Sequence, residues 1–231
     1  MIDQVLAKVA AGVGARDLTP AERARLAALW QHEERLLAGG YRYVAGVDEA
    51  GRGPLAGPVV AAAVILPPGL LLAGLDDSKR VAPEMRVRLA VEVRRKALAW
   101  AVGLATVEEI ARLNIYRATL LAMERAVRKL RPPADCLIVD GVRLSGLDLH
   151  QVSLKGADGQ SASVAAASIV AKVVRDRLME AYHRLYPEYG FQRHKGYATP
   201  GHLRALARFG PCPIHRTGFG PVRRLVSAPE G

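Results

Sequence analysis

Asp48 and Glu49 stand side by side at the end of an apolar run, YVAGVDE, and a glycine- and proline-rich stretch, GRGPLAGP, follows at once. A third acid, Asp140, closes a second apolar run, CLIVD. Charge at the end of a buried strand is costly unless something compensates it, and in open α/β sheets ligand crevices form at strand ends. Two acidic strand ends brought together would make a negative pocket whose simplest relief is a bound divalent cation. In SVAAASIVAKVVRD, residues Ser168, Lys172 and Asp176 recur at i, i+4 and i+8 and share one helix face. Ala165, Ala166 and Ala167 would let that helix lie close to a sheet, bringing Asp176 to the pocket from the side. Each acid also has an ordinary reading: Asp140-Gly141 as a turn, Asp48 as a cap on the glycine loop, Asp176 as a surface pair with Lys172. GRGPLAGP is not a P-loop, because no Lys-Ser/Thr follows it. Backbone amides bare of side chains can still approach a phosphate or a sugar hydroxyl, and contact with a 2′-hydroxyl is what separates RNA from DNA.

These residues depend for their positions on the elements around them. Residues 41–49 read as a strand and 59–66 (VVAAAVIL) as a second, joined by a connection too long for a two-residue turn yet able to link antiparallel neighbours. A helix is expected over about 83–97 and a strand near 99–106. A second helix spans roughly 108–130, ended by Arg131-Pro132-Pro133. CLIVDG (136–141) is a short buried strand, HQVSLKG (150–156) a further one, and a long helix over about 161–185 stops before Pro187. This order predicts an α/β layer fold: a mixed sheet flanked by helices. Side chains alternate across a strand, so Asp48 and Glu49 share one site only if the strand ends or twists at Glu49. Residues 1–40 read as a separate helical extension. Thr19-Pro20-Ala21-Glu22 has the form of a capping box, Leu26, Leu29, Trp30, Leu36 and Leu37 follow at helical spacing, and Gly39-Gly40 ends the segment.

Composition narrows the partners. The chain has 231 residues, half of them hydrophobic, enough for one substantial core. With 33 Lys+Arg against 22 Asp+Glu its formal charge is +11, which favours a polyanion, nucleic acid before membrane. From His183 onward eight Lys/Arg face two acids, so that segment carries a surplus of six positive charges, together with four of the six histidines. Its aromatics, Tyr186, Tyr189, Phe191, Tyr197, Phe209 and Phe219, indicate a packed basic appendage rather than a solvated tail. No apolar run is long enough to span a membrane, and the N-terminus makes a poor signal peptide. Cys136 and Cys212 make no framework, and Cys136 in CLIV reads as a small buried side chain. The expectation is a soluble cytoplasmic protein.

Taken in order, YVAGVDEAGRGPLAGPVVAAAVILP, GLDDSKR, LNIYRATLLAMERAV, LIVDG, SLKGAD, AAASIVAKVVRDRLM, YGFQRHKGYATPGH and FGPVRR resemble bacterial ribonuclease HII over about residues 41–225. DEAGRG is specific in combination with IVDG and AKVxRD, and GRG rather than GTG after the acids favours this family over ribonuclease HIII. The resemblance implies an RNase H-like catalytic domain over residues 41–186, after the 1–40 extension, and a C-terminal helical, basic, substrate-binding appendage over 187–231. It implies hydrolysis of RNA in RNA–DNA hybrids and at single ribonucleotides embedded in duplex DNA, by a monomer. Asp48, Glu49, Asp140 and Asp176 then match the four acids that hold Mg²⁺ or Mn²⁺. Gly51, Arg52 and Gly53 match the motif whose backbone contacts the ribose 2′-hydroxyl, and Tyr197 the tyrosine that stacks near the RNA-to-DNA junction. Lys79, Lys155, Ser168 and Lys172 fall in blocks that line the substrate groove. KGADG after Leu154 departs from the more usual KGD, which leaves the alignment of Asp158 open, and the N-terminal extension is absent from many members. The rival readings are a nuclease of the same fold acting on another nucleic-acid structure and a non-catalytic basic nucleic-acid-binding protein. A 2′-hydroxyl reader argues against the first, and four acids facing a phosphate groove argue against the second.

Overall fold

Val44–Ala50 (β1), Val59–Ile65 (β2), Ala99–Ala105 (β3), Cys136–Asp140 (β4) and His150–Leu154 (β5) hydrogen-bond into one sheet in the order β3-β2-β1-β4-β5. The computed structural model describes residues 18–226; the parts of the expected terminal segments at 1–17 and 227–231 lie outside them. β2 runs antiparallel to both β1 and β3, whereas β4 is parallel to both β1 and β5. Every residue of β2 is buried, because both faces of the sheet are covered. Val60, Ala62 and Val64 face one helical layer, and Val59, Ala61, Ala63 and Ile65 face the other.

The first layer is built by Pro83–Lys96 (α3) and the 24-residue helix Ala162–Leu185 (α6). α6 presents Ala165, Ala166 and Ala167, all fully buried, to the sheet. The approach is so close that a methyl group added at Gly46 on β1 would overlap the Ser163 and Val164 backbone of α6. The opposite layer is Ile115–Arg128 (α5), whose Ala118, Ala122, Met123 and Ala126 pack on β1, β2 and β3. The single helix expected over 108–130 is in fact two, Val107–Leu113 (α4) and α5, broken at Asn114. Asn114 takes φ +69 and its side chain accepts the Arg117 N–H at 3.1 Å, so one residue ends one helix and caps the next. Thr106 and Glu109 form a complete capping box at the start of α4.

The described part of the N-terminal extension is likewise two short helices, Pro20–Ala28 (α1) and Gln31–Ala38 (α2), and it does not stand apart. Leu26, Leu29 and Trp30 are buried in the same cluster as Val60, Ala62 and α6, and the Trp30 indole donates to the Leu70 carbonyl. Glu33 on α2 accepts the Ser161 hydroxyl at 2.6 Å and the Ser163 N–H at 2.8 Å, tying the extension to the start of α6. The expected capping box at Thr19 is half made. Thr19 accepts the Glu22 N–H, but the Glu22 carboxylate turns to Arg25 and to the Gly74 N–H.

After α6 the chain builds a small appendage from Phe191–His194 (α7), Pro200–Phe209 (α8) and Gly220–Val226 (α9). Its own core joins Tyr189, Phe191 and Ile214 to Met179 of α6 and to Ala56 of the glycine loop. Three backbone hydrogen bonds stitch it to that loop: Leu55 N–H to Gly196 O, Gly57 N–H to Ile214 O, and Arg216 N–H to Leu55 O, each 2.8 Å.

Candidate active site

The parallel register of the central strands decides where the acids meet. The last residues paired between β1 and β4 are Val47 and Val139. One step further, at the ends of both ladders, Asp48 lies beside Asp140. β1 does not end at Glu49, which was one of the two ways, an end or a twist, that side-chain alternation left for Asp48 and Glu49 to share a site. Its ladder with β2 continues through Glu49↔Ala61 to Ala50↔Val60. Asp48 instead folds back along the chain, accepting the Glu49 N–H at 2.7 Å, and its carboxyl comes within hydrogen-bond reach of the Glu49 carboxyl. The Ser168 hydroxyl, 2.8 Å from Ser78 Oγ, lies beside Asp48 and favours its charged form. Asp140 accepts the Ala157 N–H at 2.9 Å, so its carboxylate is aimed by the turn after β5.

Asp48 is only 5 % exposed. Burial, then repulsion from Glu49 and Asp140, pushes its pKa well above the carboxylate range. Glu49 is also raised, first by burial, against the pull of Arg52, whose guanidinium lies 3.4 Å from it. Three carboxyls thus crowd the sheet end, Glu49 beside the Arg52 guanidinium and Asp48 disfavoured in its charged form. All are oxygen donors, a set suited to a hard divalent cation such as Mg²⁺ or Mn²⁺ and not to zinc. The acids lie side by side without closing into a cage: among the described residues, no group of three or more His, Cys, Asp or Glu is drawn together to hold a metal ion. Asp176 is placed on the α6 face that carries Ser168 and Lys172, two turns beyond Ser168, with its carboxylate on Lys172 Nζ at 2.5 Å. The pairing that the sequence offered as its ordinary reading is therefore present. Lys172 is half-buried and burial lowers its pKa, partly offset by Asp176.

Around this centre, Lys79 bridges Asp77 at 3.7 Å and Asp158 at 3.6 Å and feels the charge of Asp48. Lys155 is exposed at the end of β5. Tyr197 is 47 % exposed, its ring edge 3.6 Å from where a Cβ on Gly53 would lie. Gly51 needs its missing side chain: it has φ +98, and a methyl there would overlap Arg175 Nε.

Sequence reasoning left Asp158 open and missed that it pairs with Asp77 as a second acidic group beside Asp140. Burial, then the charge of Asp77, raises the Asp158 pKa. It also missed two buried arginines. Arg175 and Arg216 are each 1 % exposed. Arg175 donates to the carbonyls of Pro58, Ala56 and Lys195. Arg216 donates to those of Gly57, Arg52 and Gly51. The available signal was an arginine inside the apolar face of α6, next to Asp176.

The family model for Ribonuclease HII matches residues 45–222. A ribonuclease HII of Pelotomaculum thermopropionicum is 62 % identical over 209 residues, covering 90 % of this chain and 79 % of that protein. Among solved structures, the ribonuclease H2 of Pyrococcus horikoshii OT3 superposes with TM-score 0.69 at 27 % identity, covering 80 % of this chain and 97 % of that one. Bst-RNase HIII, solved in complex with Mn²⁺, shares the fold at TM-score 0.64 and 21 % identity over 97 % of this chain and 80 % of its own.

Proposed function

The chain belongs to the ribonuclease HII family and is a ribonuclease H hydrolase, and on that premise we propose that it cuts the RNA strand of RNA–DNA hybrids and single ribonucleotides embedded in duplex DNA. The observation that carries this reading is the meeting of Asp48, Glu49 and Asp140 at one sheet end, directly before the Gly51-Arg52-Gly53 loop.

In this reading Asp48, Glu49, Asp140 and Asp176 hold Mg²⁺ or Mn²⁺. When bound, such a cation stabilises charge developing on the phosphodiester and makes an attacking water easier to ionise. The protein's own part is positional. The Glu49 N–H orients Asp48, the Ala157 N–H orients Asp140, and Lys172 pairs with Asp176 on the α6 face that also carries Ser168. The glycine loop offers backbone donors to a ribose 2′-hydroxyl, and Tyr197 offers an exposed ring to a base or sugar beside Gly53. Lys79, Lys155 and the arginines of the appendage hold phosphates. Water, not the 2′-oxygen, is the nucleophile, and the P–O3′ bond breaks with the 3′-oxygen taking up a proton, so the new ends are 5′-phosphate and 3′-hydroxyl. The domain roles follow: hydrolysis over residues 41–186, substrate holding from about residue 187 onward. A monomer working in the cytoplasm completes the reading; no helix among the described residues is long and apolar enough to cross a membrane.

The test is to incubate the protein with an end-labelled RNA–DNA hybrid, with Mg²⁺, with Mn²⁺ and with a chelator, and to map the termini. Cleavage only with the cations, leaving 5′-phosphates, is expected. Metal-independent cleavage, or 2′,3′-cyclic phosphate ends, would refute the assignment.

A further inference from the structure

Two fully buried arginines lie beneath the glycine loop, and neither makes an ion pair among the described residues. A buried guanidinium without a carboxylate is expensive, so its hydrogen bonds must account for its place. Arg216 comes from the appendage, far along the chain, and spends its donors on loop carbonyls: Nη2 to Gly51 O at 2.6 Å, Nη1 to Arg52 O at 2.9 Å, Nε to Gly57 O at 2.9 Å. The Phe219 ring covers it, 5.1 Å from the guanidinium carbon.

The consequence follows from the planarity of the peptide. In a trans peptide the carbonyl of one residue and the N–H of the next point in opposite directions. Fixing the Gly51 carbonyl inward turns the Arg52 N–H outward, and fixing the Arg52 carbonyl inward does the same for the Gly53 N–H. Neither N–H has a hydrogen-bond partner among the described residues, and both residues are exposed, beside Tyr197. The positive charge directly behind these two peptides also polarises them as donors.

We propose that Arg216 is the positioning residue that sets ribonucleotide specificity: its guanidinium fork orients the Arg52 and Gly53 peptides so that their N–H groups face the groove and donate to a ribose 2′-hydroxyl. This rests on the ribonucleotide reading above and assigns the specificity of that site to a residue outside the glycine motif. Lysine cannot reproduce the device, because a single ammonium cannot reach three divergent carbonyls in a planar fork.

The experiment compares binding of two duplexes of the same sequence, one all-DNA and one with a single ribonucleotide, by fluorescence anisotropy in a chelator so that neither is cut. Wild type, Arg216→Lys and Phe219→Leu are measured, each with its melting temperature. Phe219→Leu keeps Arg216 but removes the ring that covers its guanidinium, loosening the fork, so it informs even if Arg216→Lys does not fold. The expected result is a preference for the ribonucleotide duplex that falls about tenfold in Arg216→Lys, the loss of one good hydrogen bond. It falls less in Phe219→Leu, and all-DNA affinity is unchanged in both. An undiminished preference in the folded variants overturns the proposal, as does an equal loss of both affinities, which marks a purely structural role. Equal affinity of the wild type for both duplexes overturns instead the ribonucleotide reading on which the proposal rests.

Discussion

At the scale of single residues, Asp48 is a carboxyl held under electrostatic tension. It is buried, and Glu49 and Asp140 repel its charge, so it holds its proton well above the ordinary carboxylate range. In the unfolded chain the same carboxyl ionises at the ordinary value. Its contribution to stability is therefore full below that value and is lost as pH rises toward the raised one. Asp48→Asn removes the penalty. In a chelating buffer this variant should melt above wild type at neutral pH, and the two should converge in acid; a wild type as stable as the variant at pH 7 would contradict the electrostatic picture. The same substitution should cost at least about a hundredfold in hydrolysis, because it deletes a proposed cation ligand, and leave duplex binding nearly intact. At the loop, specificity placed in backbone donors makes Arg52→Ala milder than Gly53→Leu. A leucine there would meet the Tyr197 ring, and the kinetics of both variants on one ribonucleotide duplex check the order.

At the scale of elements, the sequence revealed strands and helices wherever composition repeats a period. β2 and β4 announce themselves as unbroken apolar runs, and α6 by its small residues and the spacing of Ser168, Lys172 and Asp176. It hid the events that one residue decides against its neighbours. Asn114 breaks a helical pattern without being glycine or proline, because its side chain supplies the next helix with a cap. Asn114→Ala gives up that cap at a backbone conformation strained for any side chain, for about 1 kcal/mol in urea denaturation, whereas Asn114→Gly relieves the strain and should cost less. Alternation was also too coarse at Glu49: the strand runs on, and Asp48 reaches its neighbour by folding back over one peptide. Gly46→Ala places a methyl inside the backbone of α6. It should either unfold the protein or displace α6, lowering both melting temperature and hydrolysis; a fully stable, active Gly46→Ala protein would contradict the packing described.

At the scale of the whole molecule, the appendage and the catalytic layers answer oppositely to pH. His194 and His202 stack, His202 and His215 approach at 3.0 Å, and burial drives the His215 pKa down to about 4. A histidine lowered in the folded state contributes stability above its unfolded value, near 6.5, and that contribution is lost as pH falls toward about 4. Hydrogen exchange, corrected for intrinsic rates, should show α8 amides losing protection in that window before those of β2. These long-range relations were the least legible from sequence. Nothing in HRTGFG announces that Arg216 reaches back to Gly51, or that Leu26 and Trp30 of an apparent extension fill the main core. The acids were legible because charge ending an apolar strand is visible locally; their neighbours Asp77 and Asp158, and the arginines beneath the loop, become visible only when the sheet is assembled. The most direct measurement of the central claim is single-turnover cleavage of a DNA duplex bearing one ribonucleotide, beside the same duplex without it, with and without Mg²⁺ or Mn²⁺. The account predicts cation-dependent cutting at the ribonucleotide and none in the all-DNA duplex. Equal cutting of both duplexes, or none of either with the cations present, would contradict it.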